Sequence, residues 1–418
     1  MSRPIYYPGQ YTPEQQADLD EARAGLIRRE DSLEEKIRKT QASSHVPGRP
    51  FVNTVITDEL IRSHSAPIFS SKLFTDPEYA KTTKYGSMIC PPEMLAEAGF
   101  PMWFHRTFGT MVTGNDGGLL ECYRPVKPGD VITEYNDFEE ILDTTDPNGS
   151  PSREFTFVGG IKAVDQNGEV VAYGEGYGRN AVSLGELPDG PAAAMATWGM
   201  HVEPQHVYTD EDWDKIYDMW AQEQVRGADT LYWEDVEPGY SPTPVSSHPL
   251  TLVDAVYMSG ENAIRMAPMA KSILIRERNN PDQVYTSTYD GIKHMRRVEQ
   301  SINTMGEYPR LFVMMAYGRR VMLNMITSFI GDEGWLRRLN WRNGPKANGI
   351  IRQIPGFEDA VCDTHICIGD MVVAKAVAVR KYQDDEGHKV DFICWTETFD
   401  GGKCTAAEAT VILPSRNG

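Results

Sequence analysis

The chain has 418 residues, of which 40% are hydrophobic and 24% are charged, and its formal net charge is −19 at pH 7. This composition is ordinary for a globular protein that buries substantial cores. No apolar run reaches the roughly 18 residues of a membrane span, and an acidic chain is poorly suited to bind nucleic acid. We therefore expect neither a membrane nor a nucleic acid as a partner.

Six cysteines stand at positions 90, 122, 362, 367, 394 and 404, and none of them forms a Cys-x-x-Cys pair. The N-terminal stretch "MSRPIYYPGQYTPEQQ" lacks the apolar core of a signal peptide. Free thiols in a reducing cytoplasm are the simplest interpretation, so we expect a cytoplasmic protein. The segment "CDTHIC" (362–367) contains possible metal ligands, but its alternation favours a strand, and we expect no metal.

The first predicted element is a helical arm. Residues 12–40 combine strong helix formers with mixed charges. The following "SSHVPGRP" contains helix-breaking residues. The sequence therefore predicts an N-terminal helical arm that occupies residues 1–44.

The remaining chain passes twice through one order of elements. In the first copy, an apolar helix is predicted at "PPEMLAEAGFPMWFHRTFG" (91–109), and a long strand follows the turn in "YRPVKPGDVITEYNDFEEILDT". Two further strands are predicted on either side of the turn "DQNG". A buried helix followed by long hairpin strands is typical of a helix packed on a curved antiparallel sheet, which is an α+β fold.

The second copy repeats this order. Its apolar helix is predicted at "LFVMMAYGRRVMLNMITSFIG" (311–331), and three strands follow from "CIGDMVVAK" onward. Gly129-Asp130 and Gly369-Asp370 occupy the same place in the two copies, which predicts an element-level repeat. We place the first unit at 45–185 and the second at 232–418.

A linker at 186–231 separates the two units. It opens with the Pro/Gly/Ala-rich "GELPDGPAAAMATWGM" and continues into "TDEDWDKIYDMWAQEQVRG" (209–227), which predicts a capped amphipathic helix. Most of the excess negative charge lies before residue 232. The nearly neutral second unit is therefore the favoured host for an anionic ligand.

Five segments carry a family resemblance: "FTDPEYAKTTKYGSMICPPEML", "YRPVKPGDVI", "YWEDVEPG", "GDEGWLRRLNWR" and "ATVILPS". In this order the chain resembles the MaoC-like dehydratases over roughly residues 50–418. The resemblance implies a double hot-dog fold and a lyase that adds or removes water across the double bond of an enoyl-CoA-type thioester. It implies no metal or redox cofactor, because the CoA thioester is itself the substrate.

The family's chemistry is usually described with an Asp and a His on the loop before the central helix. In the first copy, Phe74 stands where the family has the histidine, and the preceding "HSAPIFSSK" has no acidic residue. The resemblance therefore implies an inactive first unit that accommodates the acyl chain. Asp76-Pro77 is interpreted as a turn and helix start, and His64 as a surface or packing residue.

The second copy offers Asp290 and His294 in "YDGIKHMRR" as the acid/base pair. They are four residues apart, where the family's motif has five. The alternatives are an ordinary Asp-Gly turn for Asp290 and a surface position between Lys293 and Arg296 for His294. Glu261 in "SGEN" stands where simpler members have "SGD" and is the second carboxylate candidate, with helix capping or solvent exposure as its alternative.

Basic residues of the second unit are candidates for substrate binding. Arg319, Arg320 and Arg342 could hold the phosphates of coenzyme A, and we also assign Tyr317 and Phe74 to the substrate site. The alternative for the arginines is a solvated helix face.

Three functions compete at this point. The first is a hydratase or dehydratase of fatty or aromatic acyl-CoA, which uses the second unit. The second is a noncatalytic hot-dog subunit that binds acyl thioesters or supports a catalytic partner. The third is a hot-dog thioesterase, for which Glu93 at the head of the first helix is the candidate carboxylate. Since hot-dog proteins usually assemble as dimers, we expect a homodimer or a hetero-oligomer of hot-dog subunits.

Overall fold

The computed structural model describes residues 11–42, 51–66, 68–96, 110–145, 153–183, 203–251, 254, 284–286, 293–295, 310 and 316–417. The helices are α1 (Pro13–Ala24), α2 (Leu33–Ala42), α3 (Asp58–Ser65), α4 (Lys72–Thr75), α5 (Pro77–Ala80), α6 (Asp210–Gln222), α7 (Ala316–Ile330) and α8 (Asn348–Ile351). The strands are β1 (Thr54–Val55), β2 (Thr110–Cys122), β3 (Val131–Asp143), β4 (Arg153–Val164), β5 (Val170–Ser183), β6 (Val245–Ser246), β7 (Val284–Thr286), β8 (Lys293–Met295), β9 (Trp335–Asn343), β10 (Val372–Asp384), β11 (Gly387–Thr398) and β12 (Lys403–Ile412).

Ten of these strands form one sheet in the order β1-β3-β4-β5-β2-β9-β12-β11-β10-β6. The order of the last five strands is the mirror image of the order of the first five. Thus β1 corresponds to β6, β2 to β9, and β3–β5 to β10–β12. The two halves join where β2 pairs antiparallel with β9, from Gly117 opposite Arg342 to Glu121 opposite Arg338. The predicted α+β, double hot-dog fold is confirmed.

The repeated Gly-Asp turn closes each unit in the same way. In the first unit, the Gly129 amide donates to the Ile56 carbonyl over 2.9 Å, and the Ile56 amide donates to the Asp130 carbonyl over 2.8 Å. The Asp130 carboxylate also accepts from the Lys127 amide. Gly129 has a φ of 100°, which a residue with a Cβ rarely adopts.

In the second unit, the Gly369 amide donates to the Leu250 carbonyl over 2.7 Å, and the Leu250 amide donates to the Asp370 carbonyl over 2.9 Å. The Asp370 carboxylate accepts from the Cys367 amide, and Gly369 has a φ of 91°. The hydrogen bonds of the two turns therefore match pair by pair, which confirms the repeat inferred from the sequence.

The buried helix predicted for the second unit is α7. Its side chains Met322, Leu323, Met325 and Ile326 are fully buried. Gly318 brings the helix backbone close to the sheet, because an added Cβ would lie 3.1 Å from the Thr396 hydroxyl. In the first unit, residues 91–96 form turns, and the rest of the predicted helix at 91–109 lies outside the described residues.

The N-terminal arm forms two helices rather than one. Thr12 and Gln15 form a capping box at the start of α1, and Gly25 is the C-cap residue after its end. Leu19 packs with Ile141, Phe155 and Phe157 of the first unit. The arm therefore extends the core of the first unit.

The predicted linker helix is confirmed as α6. Thr209 accepts a hydrogen bond from the Asp212 amide, and the Asp212 carboxylate accepts from the Thr209 amide, so the helix begins with a capping box. Ile216 packs against Met371 and Val373. Hence α6 lies against the second unit.

The prediction of a strand at "CDTHIC" was wrong. Residues 362–367 contain only single bridge residues, and Cys362 forms an isolated bridge to Lys403. All six cysteines are free and buried. Across the described ranges, no three His, Cys, Asp or Glu side chains are grouped so that they could hold a metal ion, and no helix has the length and apolar character to cross a membrane.

Candidate functional site

Phe74 is a core residue of the first unit. It lies in α4 with 5% of its surface exposed, and its ring centroid is 5.4 Å from that of Phe69. The next residues begin α5, where the Asp76 carboxylate accepts from the amides of Glu78 and Tyr79. The helix-start interpretation of Asp76-Pro77 is therefore confirmed, and packing fills the position at which the family has its histidine.

Three acid/base residues are predicted in the second unit. Two of them, Glu261 and Asp290, lie outside the described residues. The backbone of His294 lies in β8, where it pairs with Tyr285 of β7. The assignment of Asp290, His294 and Glu261 stays a prediction.

Two of the predicted binding residues meet a carboxylate of the other unit. Arg319 Nη2 lies 3.4 Å from Glu93 Oε2, and Arg320 Nε lies 3.4 Å from Glu93 Oε1. All three side chains are buried. The Arg319 guanidinium also lies over the Trp341 ring, 4.9 Å from its centroid. These contacts place a charged group beside β9, the strand that joins the second unit to the first.

An imidazole completes this group. His64, near the end of α3, has its Nε2 atom 3.9 Å from Glu93 Oε1. We call His64, Glu93, Arg319 and Arg320 the seam cluster. It contains one carboxylate, two guanidiniums and one imidazole, and it draws two members from each unit.

Electrostatics explains why the seam cluster forms as a unit. A carboxylate removed from water is costly unless cations and hydrogen-bond donors replace the lost hydration. Glu93 keeps only 1% of its side-chain exposure, and Arg319 and Arg320 keep 6% each. The guanidiniums of Arg319 and Arg320 therefore replace part of the hydration that the buried Glu93 carboxylate loses.

Sequence reasoning found the members of this cluster but not their contact. Arg319 and Arg320 were assigned to substrate binding, Glu93 to the thioesterase alternative, and His64 to packing. Glu93 and Arg319 are 226 positions apart, so local periodicity carries no signal of their proximity. The two units meet along β2 and β9, and no pattern in the sequence predicts that pairing.

Tyr317 lies at the start of α7 and packs against the main core. Burial raises the pKa of its phenol to about 12, although a hydrogen bond with Ser247 opposes the shift. The Ser247 hydroxyl also accepts from the Val372 amide over 2.9 Å. Tyr317 is therefore neutral at physiological pH and can serve a ligand as a hydroxyl donor. Its role in substrate binding stays a prediction.

Arg342 lies on the other face of β9 from Trp341, because neighbouring residues of a strand point to opposite faces. Its guanidinium donates to Asn340 Oδ1 over 2.6 Å and lies over the Tyr177 ring, 4.4 Å from its centroid. The structure thus separates Arg342 from Arg319 and Arg320 and gives it contacts that join β9 to β5.

No protein-family model and no curated protein sequence matches the chain. Several solved structures are similar to it. A MaoC-like dehydratase has 15% identity and a TM-score of 0.48, with 89% of this chain and 97% of that chain covered. A MaoC domain protein dehydratase from Chloroflexus aurantiacus has 10% identity and a TM-score of 0.43, with 89% and 96% covered.

A third similar structure is a Mycobacterium tuberculosis protein described as having a double hot-dog fold. It has 10% identity and a TM-score of 0.39, with 90% of this chain and 97% of that chain covered. At these identities and TM-scores the neighbours carry no inference about activity. The assignment of the fold rests on the strand order and the paired turns.

Proposed function

We propose that the protein is a hot-dog enzyme that adds water to, or removes it from, the double bond of an enoyl thioester. The acyl group would lie between the units, with coenzyme A as the thiol carrier. The observation that supports this most is the seam cluster, in which both units place buried charged groups beside α7. The proposal also draws on the motifs quoted from the sequence.

The chemistry requires two kinds of group. One is an acid/base pair that takes a proton from water and delivers one to Cα. The other is a set of donors for the negative charge that develops on the thioester oxygen. For the first, we propose Asp290 and His294, with Glu261 as the second carboxylate. For the second, backbone amides at the start of a buried helix are suited, and α7 is such a helix.

The location of positive charge supports an anionic substrate. Arg319 and Arg320 supply fixed charge inside the protein, and a guanidinium can hold phosphate or thioester oxygens in defined geometry. We propose that the protein works as a homodimer or with another hot-dog subunit, and that it serves fatty or aromatic acid metabolism. No cofactor is part of the proposal.

A noncatalytic subunit is the second candidate, and the burial of Phe74 favours it. A unit whose histidine position is filled by a packed ring can bind an acyl chain without proton transfer. The thioesterase is less well supported, because Arg319 and Arg320 already engage the Glu93 carboxylate that would have to attack the thioester or activate water.

One assay separates these functions. The full chain is incubated with crotonyl-CoA and with longer and aromatic enoyl-CoAs, and the absorbance of the conjugated thioester and the free thiol are followed. Hydration removes the enoyl absorbance without releasing thiol. Release of thiol supports the thioesterase, and saturable binding with no change in either signal supports the noncatalytic subunit.

A further inference from the structure

A short segment of the linker lies across two turns of the second unit. We call this segment, residues 203–209, the strap. The Tyr208 hydroxyl donates to the Gly369 carbonyl over 2.9 Å and accepts from the Met371 amide over 3.0 Å. The Tyr208 ring also lies 5.7 Å from that of Phe399, which follows β11. The strap is therefore attached both to the Gly-Asp turn and to the turn between β11 and β12.

His206 of the strap contacts a carboxylate through each of its ring nitrogens. Nδ1 lies 2.8 Å from Asp400 Oδ1, in the turn between β11 and β12. Nε2 lies 3.3 Å from Asp212 Oδ2, in the first turn of α6. The imidazole also packs against the rings of Tyr208 and Phe399, with centroid distances of 4.6 and 5.0 Å. Its side chain keeps 20% of its exposure, so its proton can exchange with solvent.

The two contacts of His206 have a strict requirement for protons. A neutral imidazole has one N–H group and one lone pair, whereas an imidazolium has two N–H groups. An ionised carboxylate can only accept hydrogen bonds. Both contacts can therefore be hydrogen bonds only when His206 is protonated. When the proton leaves, one ring nitrogen presents its lone pair to a carboxylate oxygen, and that contact becomes repulsive.

Two neighbours of His206 keep their charge over the range in which an imidazole titrates, roughly pH 5 to 8. Hydrogen bonds from the amide and the hydroxyl of Thr209 lower the pKa of Asp212, with a smaller contribution from His206. Burial raises the pKa of the Tyr208 phenol to about 12. Asp212 is therefore ionised and Tyr208 is neutral throughout this range.

Further charged groups face His206 and its neighbours from α6 and from the Gly-Asp turn. On α6, Lys215 Nζ lies 3.6 Å from Asp212 Oδ1. Near Tyr208 lies the buried ion pair of Arg310 with Asp370. Burial raises the pKa of Asp370, and the hydrogen bond from Arg310 opposes this shift. A variant that removes only the imidazole therefore separates its titration from that of Asp370.

We propose that His206 is a pH-dependent latch. Its imidazolium holds the strap and the start of α6 on the turn between β11 and β12, and loss of its proton loosens this attachment. Since the attached state needs the proton, attachment is strongest at low pH and weakens as the pH rises through the titration of the imidazole. This inference goes beyond the proposed function and does not depend on it.

The latch also acts on a residue that precedes α7. The Arg310 guanidinium donates to the carbonyls of Glu203 and Pro204 in the strap. It donates as well to the carbonyl of Ile368, beside the Gly-Asp turn. Loosening of the strap therefore weakens two of the contacts that hold Arg310. The second unit thus has a pH-sensitive connection to the linker.

Hydrogen–deuterium exchange of the full chain tests the latch. The protection of the amides in residues 203–212 is measured at about pH 5.5 and about pH 8 and is corrected for the intrinsic exchange rate at each pH. In the wild-type chain this protection should fall by about tenfold between the two pH values, because a hydrogen bond between charged groups is lost. His206→Phe keeps an aromatic ring but no proton, so its protection should be low and nearly independent of pH.

Asp400→Asn tests the mechanism of the latch, because an asparagine amide can donate to a neutral ring nitrogen. This variant changes a side chain that is 53% exposed, and it should keep the strap protected at about pH 8. His248→Phe is the matched control, since His248 contacts one carboxylate, that of Asp254, outside the strap; its pH dependence should equal that of the wild type. Equal wild-type protection at both pH values, or an unchanged pH dependence in His206→Phe or Asp400→Asn, would overturn the latch.

Discussion

The Tyr79 hydroxyl donates a hydrogen bond to Asp332 Oδ2 over 2.6 Å and thereby connects the two units. Tyr79 belongs to the "FTDPEYA" segment of the first unit, and Asp332 follows α7 in the second. Burial raises the pKa of Asp332 above its ordinary value, and the bond from Tyr79 opposes that shift. The "FTDPEYA" segment thus has a structural function, because Tyr79 connects the two units.

Tyr79→Phe should lower the free energy of unfolding by about 1–2 kcal/mol, because a buried carboxylate loses a donor. Without the donor, the pKa of Asp332 rises further in the folded state. A carboxyl group whose pKa is higher in the folded state than in the unfolded state stabilises the fold at low pH. This contribution is lost as the pH rises through the pKa of the folded state. The destabilisation should therefore be larger at pH 8 than at pH 4. Urea unfolding at both pH values measures it, and an equal loss at both would contradict the account.

Phe74→Ala should cost about 3 kcal/mol of stability, since it removes a buried ring from a packed core. If the acyl chain lies nearby, the preference for chain length should also change. Phe74→Leu, which keeps most of the apolar volume, is the control and should cost less. Thermal unfolding and a series of enoyl-CoA chain lengths provide the measurements. Loss of turnover without loss of stability would mean that Phe74 contacts the reacting atoms.

His294→Ala and Asp290→Asn should each lower turnover by roughly 10²–10⁴ with little effect on thioester binding, because each removes a proton-transfer group of the predicted pair. Steady-state kinetics on a verified enoyl-CoA, with binding measured separately, checks this prediction. Near-normal turnover in both variants would move the chemistry of the second unit to Glu261 or to a partner chain.

Glu93→Gln should destabilise the fold by about 3–5 kcal/mol, because it removes a buried negative charge that lies 3.4 Å from each of two buried guanidiniums. Glu211→Gln removes one partner of the exposed pair with Lys215 and should change the unfolding free energy little. Chemical denaturation of both variants gives the comparison. Similar stabilities for the two would show that Glu93 is not held as the structure describes.

Much of the fold could be predicted from the sequence. The Gly-Asp turns, the capped helix after Thr209 and the buried helix at 316–330 follow from local chemistry, namely positive φ, capping and apolar composition. The strands β2 and β9 were not predicted. One contains "TGNDGG", whose glycines lower strand propensity, and the other contains "LRRLNWR", whose alternation is obscured by charge.

The seam cluster could not be predicted for a related reason. It depends on β2 and β9 lying side by side, and sequence periodicity reports which residues share an element but not which elements are neighbours. Arg319 and Arg320 could therefore be identified as candidates for binding, whereas their contact with Glu93 required the tertiary structure. His64 shows the same limit, because a histidine in a short polar helix has no local signal of a buried carboxylate beside it.

Incubation of the full chain with crotonyl-CoA or an aromatic enoyl-CoA in ¹⁸O-labelled water tests the hydratase proposal most directly. The account predicts a hydroxyacyl-CoA that carries one ¹⁸O atom on its acyl chain, formed as the enoyl absorbance falls and with the thioester intact. Label found in a free carboxylic acid together with released CoA, or enoyl-CoA that stays unlabelled and unchanged, would contradict it.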